Sequence, residues 1–142
     1  MTVQDINVLY TAVATAENGR DGRVSSDDGN LDVVVNPPAS MGGSGVGTNP
    51  EQLFAAGYSA CFQSALGVVA RREKADISGS TVTAAVSIGK TAEGGFGLAV
   101  AITAAIPNVD ADTARALVEK AHQVCPYSNA TRGNIEVDLS VA

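Results

Sequence analysis

Residues 52–70 carry no charge at all, and this run is the strongest feature of the hydrophobic pattern. Asn49 is a good N-cap, Pro50 suits a first helical position, and Glu51 favours the positive end of a helix dipole. Arg71, Arg72 and Lys74 stand at the other end, where positive charge belongs. The pattern predicts one long helix, apolar nearly all round and so fully enclosed, either in a core or in a membrane. The run is long enough for a span. Gln52, Ser59, Gln63 and Ser64, two glycines and the capped start argue instead for the central helix of a soluble domain.

Elsewhere the pattern switches to strands. Residues 8–16, rich in β-branched and aromatic positions, read as a first strand, followed by the turn Glu17-Asn18-Gly19-Arg20-Asp21-Gly22. A second strand starts at Arg23, turns at Asp27-Asp28-Gly29-Asn30 and returns over 31–35. The glycine-rich loop 41–47 leads into the long helix, but it lacks the Gly-Lys-Ser/Thr ending and the Gly-x-Gly-x-x-Gly spacing of phosphate cradles. It reads as a lid or interface loop. Residues 81–88 alternate, Glu93-Gly94-Gly95 turns the chain, and Leu98, Val100, Ile102, Ala104 and Ile106 line one face of a long partner strand. Asp110 caps a second helix with the stripe Ala114, Leu117, Val118, Ala121, Val124 and Cys125, which Pro126 stops. Ile135, Val137, Leu139 and Val141 make a closing strand. The expected order is β-β-β-α-β-β-α-β, an α+β fold of antiparallel hairpins with segregated helices in a single domain, 1–142.

Composition narrows the function. The 142 residues carry a net charge of −6 and no basic cluster, which argues against nucleic acid and anionic membrane surfaces. Aromatics make up only 4% and Trp is absent, so Ala, Val, Ile and Leu must build the core. The first residues lack the basic and apolar regions of a secretory signal, which points to the cytoplasm. The two cysteines allow one bridge at most, and in that compartment a pair suggests redox chemistry. With His122 the only histidine, a His-rich metal site within one chain is excluded and no metal is expected.

Cys61 and Cys125 each fall on the buried face of a predicted helix, so their thiols can meet across the core. Taken alone, each also reads as a small core residue. A nucleophilic thiol needs a lowered pKa, and with hardly a histidine present an arginine guanidinium can substitute by stabilising the thiolate, bringing about 8.5 toward about 5–7. Arg20, in a turn flanked by glycines, is a candidate, and Glu51 is suited to orient it by a bidentate pair.

Three segments carry a family resemblance. Gly19-Arg20-Asp21-Gly22, the stretch from Gly47-Thr48-Asn49-Pro50-Glu51-Gln52 to Ser59-Ala60-Cys61-Phe62, and His122-Gln123-Val124-Cys125-Pro126-Tyr127-Ser128 resemble, in order, the organic hydroperoxide resistance (Ohr) proteins of the Ohr/OsmC superfamily. The resemblance implies a thiol peroxidase that reduces alkyl and fatty-acid hydroperoxides to alcohols. By motif position Cys61 would be the peroxidatic cysteine and Cys125 the resolving one, with Arg20 stabilising the thiolate and Glu51 holding Arg20. Asp21 and Gln52 are supporting candidates in the same motifs. It implies no bound cofactor, a lipoyl dithiol on a lipoylated protein as reductant, and an intertwined homodimer with sites at the interface. Phe54, Tyr58, Phe62 and Tyr127 are candidate walls of an apolar pocket. An OsmC-type peroxidase of broader scope and a non-catalytic cysteine sensor are the competing readings. Glu51 and Cys61 lie about 15 Å apart along one helix, so Glu51 is expected to serve the partner's Cys61 across a twofold near Ala56.

Overall fold

The computed structural model describes residues 3–142; Met1 and Thr2, the start of the N-terminal stretch read above, lie outside the described residues. The chain forms two compact units, one ending at Pro50 and one spanning Glu51–Ala142.

In the first unit, β1 (Ala14–Glu17), β2 (Gly22–Ser26) and β3 (Asp32–Val35) make an antiparallel meander in that order. Asn18 and Gly19 both have positive φ, 62° and 58°, which is why an Asn-Gly pair starts the β1–β2 turn. Gly22 is required where the chain re-enters the sheet, because a Cβ there would sit 1.9 Å from the Glu17 carbonyl oxygen. Across the sheet Arg23 forks onto Asp32 with two contacts of 2.7 Å. Both partners are exposed, so the pair fixes register more than it stabilises.

The first strand is shorter than the pattern predicts. Residues 3–13 contain no strand, and Val8, Leu9 and Tyr10 are exposed, Leu9 at 99%. The apolar signal is real, yet among the described residues these side chains stay exposed. The glycine-rich loop is tied to its own chain: Gly43 and Gly45 donate to the carbonyls of Pro38 and Pro37, and Thr48 donates to Val34.

The second unit packs helices on one face of a three-stranded sheet. α1 (Pro50–Glu73) starts at the predicted proline and carries Arg71 and Arg72 in its last turn. By length and composition it would be able to cross a membrane. Here Tyr58, Phe62, Leu66 and Val69 form the heart of a core shared with Val100, Ile102, Leu117 and Val118. Burying each such side chain is worth about 1.5–3 kcal/mol. The expectation of a fully enclosed helix does not hold, because Gln52, Ala56, Ala60, Gln63 and Ser64 stay exposed along the opposite face. Alanine raises mean hydropathy without marking which side is buried.

β4 (Thr81–Lys90) and β5 (Phe96–Ala105) form the long hairpin, with Val82, Ala84 and Val86 packed against the core and Gly94 at φ 90° in its turn. α2 (Ala111–Val124) begins as predicted, the Asp110 carboxylate accepting from the Thr113 backbone N–H at 2.7 Å. Two features differ from the sequence reading. Pro126 does not merely stop α2; it opens a further short helix, α3 (Pro126–Thr131). And β6 (Val137–Val141) pairs with β5 in parallel, so the sheet is mixed, not purely antiparallel. A parallel partner needs a crossover, which α2 and α3 supply. The fold class remains α+β.

Candidate functional site

Cys61 lies midway along α1, half-buried, and Cys125 is fully buried at the corner between α2 and α3. The corner is set by Pro126: the residue before a proline is pushed out of helical geometry, and Cys125 sits at φ −62°, ψ 123°. This places the two free thiols 3.5 Å apart, with the Cys125 S–H donating to the Cys61 sulfur. A disulfide requires about 2.05 Å, a closure that side-chain rotation and small backbone adjustment cover.

Burial pushes the Cys61 thiol above its ordinary value. A hydrogen bond from the Tyr127 backbone amide works the other way, while the adjacent Cys125 adds to the rise. The direction is opposite to the lowering expected from sequence. Apolar walls penalise the thiolate more than one amide favours it.

Beside the thiols stand three rings. Phe54, Tyr58 and Tyr127 pack with centroids 5.7–6.0 Å apart in tilted or edge-on pairs. The Tyr127 ring lies so close to α1 that a Cβ on Gly57 would come within 2.9 Å of its hydroxyl oxygen. Phe54 and Tyr127 also line a pocket of about 600 Å³ whose other walls include Leu98, Ala130, Thr131 and Ile135. Of the four pocket candidates, Tyr58 and Phe62 differ from expectation: both are completely buried in the core and neither lines this pocket. The walls from β5 and α3 had no motif to announce them.

A polar chain that no sequence motif announces lies largely buried in the second unit. The Tyr58 hydroxyl meets Ser128 Oγ at 2.8 Å and Thr131 Oγ1 at 3.1 Å, and His122 Nδ1 meets Ser128 Oγ at 2.8 Å. Arg132 Nη2 donates to the His122 carbonyl at 2.5 Å. Burial lowers the His122 pKa, Arg132 adds to that and Glu119 opposes it, so the imidazole is neutral near pH 7. The available signal was chemical: a fully buried tyrosine needs a partner for its hydroxyl.

The remaining candidates divide between the units. Arg20 lies in the β1–β2 turn. Beside it, Asp21 accepts from Asn36 Nδ2 at 2.8 Å, and Asn18 Nδ2 caps the Asp21 carbonyl at 2.7 Å, so Asp21 braces that turn. Glu51 and Gln52 occupy the first turn of α1, about 15 Å along the helix from Cys61. Among the described residues no three His, Cys, Asp or Glu side chains cluster as a metal site would require.

A family model described as OsmC-like protein matches residues 42–140. The organic hydroperoxide resistance protein of Xanthomonas axonopodis pv. citri is 53% identical over 95% of this chain and 96% of its own length. OhrB of Bacillus subtilis is 47% identical over 94% of this chain and 98% of its own. The crystal structure of an organic hydroperoxide resistance protein from Elizabethkingia anophelis superposes with a TM-score of 0.91 at 55% identity, covering 96% of this chain and 99% of that one. The helices, the mixed sheet and the meander thus follow a shared fold, and the chain belongs to the OsmC-like family, in its organic hydroperoxide resistance branch.

Proposed function

We propose that the chain is a cysteine-based peroxidase that reduces organic hydroperoxides to alcohols. The observation that carries this reading is the pair of free thiols 3.5 Å apart, one of them half-buried; an apolar pocket of about 600 Å³ is walled by Tyr127, whose backbone amide bonds the Cys61 sulfur. The names of its relatives favour the same substrate class.

The Cys61 thiolate attacks the distal peroxide oxygen; the O–O bond breaks, alcohol leaves and Cys61 becomes a sulfenic acid. Cys125 then attacks that sulfur, forming the disulfide and releasing water. A dithiol restores both thiols by exchange through a mixed disulfide, and a dihydrolipoyl group on a lipoylated protein is the proposed donor. No bound cofactor is needed. The pocket takes the alkyl chain, favouring alkyl hydroperoxides over hydrogen peroxide.

Because burial raises the Cys61 pKa, the reaction needs a cation at the sulfur. Arg20 is assigned that role, with Glu51 holding its guanidinium. A cytoplasmic homodimer completes the proposal. Two surfaces of the single chain favour it: the exposed apolar residues of segment 3–13, and the Ala56–Ala60 face of α1, small enough for a second helix to approach. Crossing α1 helices would bring the partner's first turn, with Glu51, toward Cys61.

The test is steady-state turnover with a tertiary alkyl hydroperoxide or hydrogen peroxide, each with dihydrolipoamide or thioredoxin. Faster turnover is expected for the alkyl substrate with dihydrolipoamide; equal kcat/KM for the two peroxides would contradict the pocket's role. Arg20→Ala is expected to raise the Cys61 thiol pKa and slow peroxide attack by about 10²–10³-fold. An unaltered thiol titration in that variant would remove Arg20 from the mechanism.

A further inference from the structure

The polar chain behind the cysteines is continuous: Thr131, Tyr58, Ser128 and His122 are linked in turn at 3.1, 2.8 and 2.8 Å. Each hydroxyl owns one proton, so the links run in one of two concerted orders. With Thr131 donating to the Ser128 carbonyl at 3.2 Å, Tyr58 donates to Thr131, Ser128 to Tyr58, and His122 Nδ1 to Ser128. With Thr131 donating to Tyr58, Tyr58 donates to Ser128 and Ser128 to Nδ1, and the Ser128 carbonyl still accepts from the Arg132 backbone N–H at 2.9 Å. Tyr58 and Ser128 are fully buried and Thr131 nearly so, hence no bulk water replaces a lost link.

The chain's position gives it a use. Tyr58 is three residues before Cys61 on the same helical face, and Ser128 is three residues after Cys125 in α3. A 2.8 Å hydrogen bond between these neighbours runs beside the 3.5 Å contact between the sulfurs. His122, in the last turn of α2, ties that helix to the same serine, so the α2–α3 corner bearing Cys125 is held from both sides.

We infer that Tyr58, Ser128 and His122 form a hydrogen-bonded clamp that sets the spacing of the two sulfurs and thereby speeds disulfide closure. They are positioning residues. In the step they serve, the Cys125 sulfur bonds to the Cys61 sulfur, the S–O bond of the sulfenic acid breaks, and the departing hydroxide leaves as water with the Cys125 proton. The oxidising equivalent is the one already delivered by the peroxide. This step rests on the peroxidase reading, but the clamp's effect on the thiol pair does not.

Two measurements on the full chain test it. One is the dithiol–disulfide equilibrium against glutathione, which requires no peroxide chemistry. The other is the rate of disulfide formation after one equivalent of alkyl hydroperoxide, relative to the rate of sulfenic acid formation. Tyr58→Phe and Ser128→Ala are expected to lower the equilibrium constant for the disulfide about tenfold, about 30 mV. Closure should slow by a similar factor, more than peroxide attack slows. His122→Asn, whose amide can donate or accept in place of Nδ1, is expected to stay within about threefold of the parent, whereas His122→Ala behaves like Ser128→Ala. Should Ser128→Ala fold poorly, Tyr58→Phe, which removes a single oxygen, decides alone. Unchanged equilibrium constants, or Asn and Ala variants at position 122 that behave alike, would overturn the clamp. Shifted equilibria in a protein that consumes no peroxide would sink the peroxidase reading and leave the clamp standing.

Discussion

Cys61→Ser is expected to abolish peroxide consumption, lowering kcat/KM for an alkyl hydroperoxide by at least about 10⁴-fold. A serine hydroxyl is neither ionised near neutral pH nor soft enough to attack an O–O bond, and Cys125, fully buried behind it, cannot take over. The fold should tolerate the change. Position 61 is half-buried on an α-helix, where a serine can donate to a carbonyl of the preceding turn, as Ser59 does to Ala56 at 3.0 Å. Lost activity with an intact thermal transition is therefore the signature. Residual turnover above a few per cent would place the nucleophile elsewhere.

Cys125→Ser separates the two half-reactions. Peroxide attack needs only Cys61, so one equivalent of alcohol should appear per chain at close to the parental rate. With no thiol 3.5 Å away to close the disulfide, the sulfenic acid persists, and excess peroxide drives it to the irreversible sulfinic state. Steady-state turnover then fails, with Cys61 heavier by two oxygens in the mass spectrum. A buried serine without a partner costs about 1–3 kcal/mol, so Cys125→Ala serves as a control with the same expected chemistry. Undiminished turnover with dihydrolipoamide in both variants would remove Cys125 from the cycle.

Much of this architecture is legible in the chain because charge and capping residues bracket its elements. Asn49-Pro50-Glu51 and Arg71-Arg72 delimit α1, Asp110 opens α2, and strict alternation in 81–88 and 98–106 predicts the hairpin and its buried face. The gaps have physical causes. Alternation tells which face of β6 is buried but not which way the strand runs, so its parallel pairing with β5 was invisible. Pro126 obeys two rules at once, ending one helix and suiting the first turn of the next, and only the second explains α3. Apolar residues in 3–13 promise burial that a single chain does not provide.

The site divides in the same way. The two cysteines can be found from helical spacing, and the structure brings their sulfurs into contact. Arg20 is legible as an unusual cation between glycines. The hydroxyl chain is not, because Tyr58, Ser128, Thr131 and His122 follow no shared periodicity and meet only once α1 and α3 have packed. The direction of the Cys61 pKa shift is likewise a tertiary property: it depends on which walls surround the sulfur.

The most direct test is to add one equivalent of alkyl hydroperoxide to the fully reduced protein and follow products and protein mass together. The account predicts one alcohol per chain, loss of both free thiols, and an intramolecular Cys61–Cys125 bond that dihydrolipoamide reopens. Peroxide left unconsumed, or consumed while both thiols survive, would contradict it.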